Sequence, residues 1–516
     1  MGNVIQDALA FLVNLHPDQW ARLGTVFETE NNQYFYDTGT GKVFACDPAE
    51  YAVLECLLST SDPAAITGLG LEDNALQQAL ETITLLVEQE HILQAPVFQK
   101  FVTPEKAELP GIIKGGIEQI IIELTEKCNL RCKYCLYQED NVDTRNFSKQ
   151  DMDWEVARKA LDYISQNAGK MLALTFYGGE PLVNFKLMKQ CIEYCKAIMP
   201  GVDIPVSFTT NLTLVTDEIA AYLASLDQCS VLCSLDGPEH VHDYYRVTVG
   251  GKGSFHQALQ GLKRLVAAFD GKPQHSLGIN AVLCPPYSKR RFDEVNDFFK
   301  TLEWLPKDTR IDCSYVDTGT LDWSELGHVK TDLQDEEFYS EDERTDPLGK
   351  WAEYTLDSDQ DERGLAKELS QKKLLRIHNR VITDEPLLGI HMNGCCIPGR
   401  RRLYVTTDGK FKVCEKMANS PYIGDVETGI DIEAMSKYYF EEYTEKSIKH
   451  CSTCWAARLC GICYAPCYQE AGLDEEKKQS HCYGERAAMK MSLKRYHQLV
   501  EVSPEKLEYF NELTLS

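Results

Sequence analysis

The sequence predicts an α/β protein whose central part is built on a buried parallel sheet. In the middle of the chain, apolar runs of strand length alternate with amphipathic stretches of helix length, which is the pattern of parallel strands joined by crossover helices. A short mixed region precedes this part, and a cysteine-rich region follows it. With 516 residues, of which 43% are hydrophobic and 26% are charged, the composition is that of a globular protein with about three or four domains.

The first predicted module covers residues 23–101, after an N-terminal extension of residues 1–22. Its three short β-like runs are residues 25–28, 33–36 and 42–45. Two helical patterns follow, one beginning at Asp47-Pro48 and one over residues 73–88. Three small strands followed by helices indicate a winged-helix-like module, and a simple capping domain is the alternative interpretation.

Six strands of the central sheet are predicted between residues 116 and 316. They are residues 120–124, 172–176, 204–208, 231–235, 277–283 and 310–315. The stretches between them that predict amphipathic helices most clearly are residues 154–164, 218–226 and 255–268. Periodicity leaves open whether the sheet is doubly wound or forms a complete or partial barrel.

Residues 317–388 are rich in Asp and Glu and predict an acidic bridge with a solvated surface.

The charge balance limits the partners that the protein is expected to bind. Its 53 basic and 79 acidic side chains leave a net charge of −26, which argues against a nucleic-acid backbone as a partner. The apolar run at residues 8–13 is too short for a signal peptide or a membrane span. Gln6 occupies the position where a myristoylation signal has Ser or Thr. We therefore expect a cytoplasmic protein that binds neither nucleic acid nor membrane.

The 20 cysteines are unusual for a protein of this composition. In a reducing cytosol, clustered cysteines bind metal more often than they form disulfides. The cysteines expected to be ordinary buried thiols are Cys46, Cys56, Cys191, Cys195, Cys229, Cys233, Cys284 and Cys313. The remaining twelve fall into two groups, one directly after the first predicted strand of the sheet and one near the C-terminus.

The first group has the spacing C-x3-C-x2-C and consists of Cys128, Cys132 and Cys135. Three thiolates can hold three irons of a 4Fe–4S cluster and leave the fourth iron open to another ligand. A structural zinc site, the alternative, usually has four protein ligands. The loop resembles the signature of radical S-adenosylmethionine (radical SAM) enzymes, including the aromatic Tyr134 before the last cysteine. The resemblance implies that the three cysteines bind the cluster and that Tyr134 lies near the adenine of S-adenosylmethionine.

In that family, S-adenosylmethionine binds the open iron and is cleaved to a 5′-deoxyadenosyl radical, which takes hydrogen from the substrate. The motifs that follow the later strands also resemble the family's cofactor-binding positions. They are Gly178-Gly179-Glu180 after the second strand, Thr210-Asn211 at the third, and Ser234 and Asp236 at the fourth, with Arg246 in the loop beyond. The resemblance implies that Glu180 holds the methionine amine and that the later positions contact its carboxylate and the ribose. It also implies a partial (β/α)6 barrel over residues 116–316.

The second group contains nine cysteines, which by spacing alone could bind zinc or iron–sulfur clusters. Next to a radical SAM domain, residues 389–485 resemble a SPASM domain, which carries two auxiliary 4Fe–4S clusters, and a C-terminal helix over residues 486–516 follows. The resemblance implies one cluster on Cys451, Cys454, Cys460 and Cys482, and another on Cys396 and Cys414 with a late cysteine. The family's usual cysteine is replaced here by Tyr464, so Cys463 and Cys467 are both candidates, and Cys395 adds a further ambiguity.

Residues 36–51 resemble the peptide-recognition domain of enzymes that mature ribosomally made peptides. The combined resemblance predicts a radical SAM maturase of such a peptide that forms thioether crosslinks from a Cys sulfur to an unactivated carbon. It implies three 4Fe–4S clusters, S-adenosylmethionine, a precursor peptide whose leader binds the N-terminal module, and an electron donor such as flavodoxin or ferredoxin. No catalytic acid or base is assigned. The alternatives are carbon–carbon crosslinking, epimerisation, formylglycine formation, or a non-enzymatic iron–sulfur or zinc scaffold.

Overall fold

The structure is a computed structural model, and it describes residues 2–15, 19–137, 145–284, 289–315, 373–392, 394–417 and 419–513. The N-terminal module begins with helix α1 (Gly2–Leu15) and an antiparallel sheet of β1 (Gly24–Glu28), β2 (Gln33–Asp37) and β3 (Val43–Cys46), in that order. Helices α2 (Pro48–Thr60) and α3 (Asp73–Glu90) follow. The predicted strands and helices of the module are therefore present.

Local capping and a shared core explain the first helices. Asp47 is the N-cap of α2, and its side chain accepts hydrogen bonds from the backbone of Ala49 and Glu50, while Glu50 bonds back to the Asp47 backbone. This capping box fixes the start of the helix where the sequence predicts it. Helix α1 places Leu12 in the same core as α3, so the predicted extension contributes to the module instead of lying outside it.

The central sheet has eight strands, six of which were predicted. These are β4 (Ile117–Thr125), β6 (Ala168–Gly178), β7 (Val206–Thr210), β8 (Cys229–Ser234), β10 (His275–Leu283) and β11 (Arg310–Tyr315). They are parallel and adjacent in the order β11-β10-β8-β7-β6-β4. A small antiparallel pair, β5 (Leu130–Cys132) and β9 (Arg246–Thr248), lies outside this sheet. The sheet confirms the predicted α/β fold class, with the six strands consecutive along the barrel wall.

The helices that connect these strands follow the amphipathic stretches. They are a short α4 (Leu109–Ile113) before β4, then α5 (Trp154–Ser165), α6 (Phe185–Ile198), α7 (Asp217–Leu223), α8 (Glu239–Tyr245), α9 (Phe255–Phe269) and α10 (Lys289–Thr301). Their apolar sides and the strands form one continuous core with the C-terminal region. Two further strands were not predicted: β12 (Leu403–Val405) pairs in parallel with β4, and β13 (Phe411–Lys412) completes that edge. The cysteine-rich region is thereby joined to the barrel by main-chain hydrogen bonds.

The C-terminal region consists of short elements and one long helix. Its elements are β14 (Gly424–Asp425), β15 (Gly429–Ile430), α11 (Ile432–Ser436), α12 (Glu442–Cys451), β16 (Tyr468–Gln469), β17 (Gly472–Leu473) and α13 (Glu475–Val502). The predicted C-terminal helix was placed to begin at residue 486, which is wrong. Asp474 caps α13 by accepting hydrogen bonds from Glu476 and Lys477, so the helix begins earlier and carries Cys482.

The predicted acidic bridge lies mostly outside the described residues, which resume at residue 373. In the part that is described, Val381, Ile382 and Leu388 are exposed, as a solvated surface requires, whereas Ile377 is fully buried between the N-terminal module and α13. The cluster that buries it consists of Phe27, Tyr36, Ile377, Leu459, Met489 and Leu493. Polar contacts reinforce this interface: Glu501 of α13 accepts hydrogen bonds from Thr29, Asn31, Asn32 and Tyr34 of the β1–β2 hairpin.

Candidate functional site

The first cysteine group lies on the loop that follows β4, at the carboxyl end of the sheet. The strand pair β5–β9 holds this loop in place and aligns Cys132 with Arg246. A turn closes its far end, where the Cys135 amide donates to the Cys132 carbonyl at 3.0 Å. Burial raises the pKa of Cys128 to about 11 and that of Cys132 to about 12. Binding of a metal cation would offset this rise in pKa, because the cation stabilises the thiolate form of each cysteine.

The paired glycines allow the end of β6 to lie directly against the cysteine loop. A Cβ atom on Gly178 would overlap the Thr125 carbonyl oxygen, and one on Gly179 would overlap the Lys127 carbonyl oxygen. Gly178 also has a φ of 153°, which favours glycine. The amides of Gly179 and Glu180 donate to those same two carbonyls, each at 2.9 Å. The two motifs, 50 residues apart in sequence, are therefore joined through their backbones.

Glu180 is buried at the centre of the candidate cofactor site. Its carboxylate accepts hydrogen bonds from the Thr210 hydroxyl at 2.8 Å, the Asn211 amide at 2.7 Å and the Leu182 amide at 3.2 Å. Burial raises the pKa of the Glu180 carboxyl, while these hydrogen bonds and the Arg246 charge oppose that rise. A carboxylate has about four acceptor positions, so one position is left for a further donor such as an ammonium group.

Asn211 connects the third strand end to the cysteine loop. Its side-chain amide donates to the Asn129 side chain at 2.9 Å and lies 3.9 Å from the Cys128 sulfur. Ser234, the last residue of β8, is buried at the neighbouring strand end. The predicted positions on three successive strands therefore lie at one edge of the sheet, as the parallel arrangement requires.

Tyr134, Asp236 and Arg246 form one buried network, although the sequence predicted three separate roles for them. The Tyr134 hydroxyl donates to Asp236 at 2.6 Å, and an Arg246 guanidinium nitrogen donates to the same hydroxyl at 2.6 Å. Among the residues that the structure describes, the buried Arg246 Nε atom has no hydrogen-bond partner. A buried unpaired donor of a permanent cation is costly, and a carboxylate ligand would satisfy it.

Sequence reasoning missed two further groups, one next to this network and one beside the end of the cysteine loop. His242 is buried, receives a hydrogen bond from the Asp236 amide at 3.4 Å and contacts the Ser254 hydroxyl at 3.1 Å; burial lowers its pKa to about 2. A cavity of about 170 Å³ opens at the ends of β4 and β12 and is lined by the buried ion pair of Glu123 and Arg145. Neither group belongs to a motif with a fixed spacing, so the sequence carried no signal for them.

Four thiols of the second group line one cavity of about 450 Å³, namely Cys451, Cys454, Cys460 and Cys482. These are the four cysteines that the resemblance assigns to a single cluster. Cys451 ends α12, Cys454 and Cys460 lie on the following loop, and Cys482 is on α13. Four thiols around one cavity fit an iron–sulfur cluster better than scattered structural thiols do.

Among the other thiols, Cys463 lies near Cys395 and near Cys414, which follows β13 of the central sheet. Burial raises the pKa of Cys395 and of Cys414, and Cys463 is near enough to both to raise each of them further. Cys467 is buried, and its sulfur donates to the Cys463 carbonyl. Cys396 has an Arg401 guanidinium nitrogen at 3.8 Å from its sulfur.

The Tyr464 hydroxyl donates to the Tyr439 carbonyl in the core, and burial together with the nearby Cys395 and Cys396 raises the pKa of Tyr464. Six of the eight scattered cysteines are buried, whereas Cys46 and Cys313 are half-buried.

Within the described residues, no three His, Cys, Asp or Glu side chains are close enough together to hold a single metal ion. No helix in the described part of the chain is long and apolar enough to cross a membrane.

Comparison with known proteins identifies the central part of the chain. Residues 122–299 match the Radical SAM superfamily. The chain is 31% identical over 193 residues to the serine-type anaerobic sulfatase-maturating enzyme of Bacteroides thetaiotaomicron, covering 37% of this chain and 42% of that protein. It is 37% identical over 147 residues to the mycofactocin maturase MftC of Mycolicibacterium smegmatis, covering 28% of this chain and 33% of that protein.

Among solved structures, native anSMEcpe with bound AdoMet superposes with a TM-score of 0.54 at 18% identity, covering 74% of this chain and 99% of that chain. At this identity the similarity shows the fold alone. The chain spans less than half the length of the curated relatives that it matches. Residues 122–299 are thus similar to the Radical SAM superfamily, and the predicted fold class is confirmed.

Proposed function

We propose that the protein is a radical SAM maturase of a ribosomally synthesised peptide and that it forms thioether crosslinks in that peptide. The observation that carries the proposal is the combination, in one packed chain, of the strand-end cofactor site with an N-terminal sheet that has an open edge. Within the described residues, β3 pairs with β2 on one side and with no strand on the other. A peptide can add to such an edge as a further strand.

The residues of the strand-end site fit a 4Fe–4S cluster and S-adenosylmethionine. Cys128, Cys132 and Cys135 would hold the cluster, the remaining acceptor position of Glu180 would receive the methionine amine, and the unpaired Nε of Arg246 suits its carboxylate. Reductive cleavage of the bound cofactor supplies the means to take a hydrogen atom from an unactivated carbon. The buried network of Tyr134, Asp236 and Arg246 orients the cofactor and excludes water from it.

The open edge of β3 is suited to a leader peptide for a specific geometric reason. Asp37 donates to Lys42 across the hairpin, and hydrogen-bonded pairs alternate in an antiparallel ladder. The amides of Val43 and Ala45 therefore face the open edge. Lys42 forms an ion pair with Glu90 of α3 at 2.7 Å, so the edge and the last helix of the module are held next to each other, and Leu85 of α3 is 48% exposed.

The thioether reaction is the finer part of the proposal. Formation of a C–S bond replaces one C–H and one S–H bond, so a hydrogen atom, a proton and one further electron must leave. The thiols around Cys395 and Cys463 include Cys414, which follows β13 of the central sheet, and an auxiliary cluster held by them would accept that electron. They exceed the four ligands that a cluster needs, which leaves room for a site that binds a substrate thiolate. Flavodoxin or ferredoxin would supply the electron that starts the reaction.

The test uses the anaerobically reconstituted full chain and a synthetic peptide encoded by the short open reading frame nearest to its gene. Each thioether link removes two hydrogen atoms and one alkylatable thiol, and both are measured by mass spectrometry with and without alkylation. Loss of hydrogen with all thiols retained would indicate a carbon–carbon link. Deuterium uptake without mass loss would indicate epimerisation, and an aldehyde would indicate formylglycine. Absence of 5′-deoxyadenosine would indicate a scaffold without this enzymatic activity.

Leader recognition is tested separately with two variants at one exposed position. Ala45→Pro removes an amide that faces the open edge and keeps the hydrogen bonds between β2 and β3. Ala45→Thr is the matched control, because it changes the side chain and retains the amide. We expect the proline variant to cleave S-adenosylmethionine normally and to bind and modify the full-length precursor poorly. Equal processing of the precursor by both variants would show that the edge does not bind the leader.

A further inference from the structure

A buried lysine lies between the two groups of C-terminal cysteines. Lys478, on α13, is only 6% exposed, and its ammonium nitrogen is 3.6 Å from the Cys451 sulfur. It also lines the cavity formed by Cys451, Cys454, Cys460 and Cys482. Its side chain is therefore part of the wall of one candidate auxiliary site.

The same ammonium group is also close to the thiols that do not line this cavity, Cys395 and Cys467. It lies 4.1 Å from the centre of the Tyr443 ring, and Tyr443 in turn is close to the Cys395 thiol. Burial raises the pKa values of four thiols, and the Lys478 charge opposes that rise at each of them: Cys395, Cys451, Cys467 and Cys482. The charge thus acts on thiols of both groups at once.

The carboxylates that the structure describes near Lys478 have other partners. Within the part of the chain that the structure describes, no Asp or Glu forms an ion pair with it. Glu475 and Glu485 line the same cavity, but Glu475 pairs with Lys449 and Glu485 accepts a hydrogen bond from the Gly461 amide. An unpaired buried charge destabilises a protein, so the surroundings of Lys478 require an anionic group that the side chains alone do not provide.

We propose that Lys478 is a positioning residue that holds a fixed positive charge between two auxiliary iron–sulfur clusters and makes both easier to reduce. This inference rests on the proposed function, which places the clusters on these cysteines. A cluster bound by thiolates is an anion and gains further negative charge on reduction. Its potential is set in part by local charge and by hydrogen bonds to its sulfurs, and a nearby cation in a low-dielectric site favours the reduced form.

The expected consequence concerns the electron that C–S bond formation releases. An auxiliary cluster that is easier to reduce accepts that electron more readily, and the contact of Lys478 with Tyr443 and Cys451 places the same charge beside both candidate acceptors. Lys478 therefore couples the two sites electrostatically. A purely structural lysine would affect stability and cluster loading without affecting the potentials.

The experiment measures reduction potentials in a variant that lacks the first cluster. With Cys128, Cys132 and Cys135 changed to Ala, only auxiliary signals remain in an EPR-monitored redox titration of the full chain. Lys478→Met and Lys478→Gln remove the charge, Lys478→Arg retains it, and Lys449→Met removes an exposed charge from the same region as the matched control. We expect both neutral variants to keep their iron and to show at least tenfold weaker electron affinity in each of the two auxiliary clusters, about 59 mV for one electron.

The arginine and Lys449 variants should keep potentials close to those of the parent protein. Unchanged potentials in the neutral variants would overturn the assignment, and so would an equal shift in the arginine variant, because both results indicate packing without an electrostatic role. Loss of auxiliary iron in both neutral variants, with retention in the arginine variant, would show a role in assembly and would also overturn it. Zinc in place of auxiliary iron in the parent chain would refute the proposed function itself, before Lys478 is tested.

Discussion

Substitution of Glu180 separates cofactor binding from structural support at the centre of the site. The carboxylate of Glu180 accepts three intramolecular hydrogen bonds, from Thr210, Asn211 and Leu182. In Glu180→Gln, the remaining oxygen can face the Asn211 amide, and the new NH2 group can donate to the Thr210 hydroxyl. The Leu182 amide then loses its acceptor, and the charge that faces the cofactor amine disappears.

The magnitudes follow from these contacts. A buried N–H group without a partner lowers the free energy of unfolding by about 1–3 kcal/mol. Replacing a charged hydrogen-bond acceptor by a neutral one lowers it by about 1 kcal/mol. We therefore expect Glu180→Gln to lower the free energy of unfolding by about 2–4 kcal/mol. Glu180→Ala leaves both amides unpaired and should cost about 2–6 kcal/mol. Replacing an ionic hydrogen bond to the amine by a neutral one should weaken S-adenosylmethionine binding by about tenfold.

Two assays measure these effects independently. Denaturant unfolding of the metal-free chain gives stability, and equilibrium dialysis with the reconstituted chain gives the S-adenosylmethionine affinity. Glu123→Gln is the matched control, since Glu123 is as buried as Glu180 and lies on the neighbouring strand, but pairs with Arg145. It should lose stability and keep its affinity for the cofactor. Wild-type affinity in Glu180→Gln would refute the reasoning and leave Glu180 with a structural role only.

Three further predictions test other parts of the chain. Replacing Cys128, Cys132 and Cys135 together by Ala should abolish 5′-deoxyadenosine production and spare auxiliary iron; production at the wild-type rate would contradict the ligand assignment. Anaerobic reconstitution of the wild-type chain should give about twelve irons per chain, whereas about four irons with stoichiometric zinc would indicate a zinc domain. Asp47→Ala should destabilise the N-terminal module by about 0.5–2 kcal/mol through loss of the α2 cap, and an unchanged unfolding midpoint of that module would argue against the capping box.

The features that the sequence predicted correctly depend on local signals. The central strands are short apolar runs, the start of α2 is a capping box, and the glycines at Gly178 and Gly179 are required by close backbone approach. The parallel topology then brings the ends of β6, β7 and β8 together, so the candidate cofactor residues meet without further information. Residues that directly follow parallel strands lie together at the carboxyl ends of the sheet, so their place in the sequence is enough to predict that they are neighbours.

The features that were missed depend on tertiary contacts. Strands β12 and β13 contain five residues in total, too few for a clear pattern, and they form because the edge of β4 is available. Helix α13 begins eleven residues before the predicted position, since Asp474 caps it within a charged stretch that has no apolar helical pattern. Lys478 lies in the run Glu475-Glu476-Lys477-Lys478-Gln479, which resembles a solvated surface, and only the folded structure shows that one of its lysines is buried.

Contacts between the N-terminal module and the cysteine-rich region bring the proposed leader-binding edge close to the thiols proposed to hold an auxiliary cluster. The loop between Cys454 and Cys460 carries Trp455, whose carbonyl accepts a hydrogen bond from Thr38 at 2.8 Å, and Arg458, which donates to the Gly39 carbonyl. Thr38 and Gly39 lie in the turn that leads directly into β3. The proposed leader-binding edge is therefore a few residues from a loop that supplies two of the four thiols around the 450 Å³ cavity. A peptide bound at that edge would be held by a module that packs against an auxiliary site, so recognition of the leader and the environment of that site depend on one shared set of contacts.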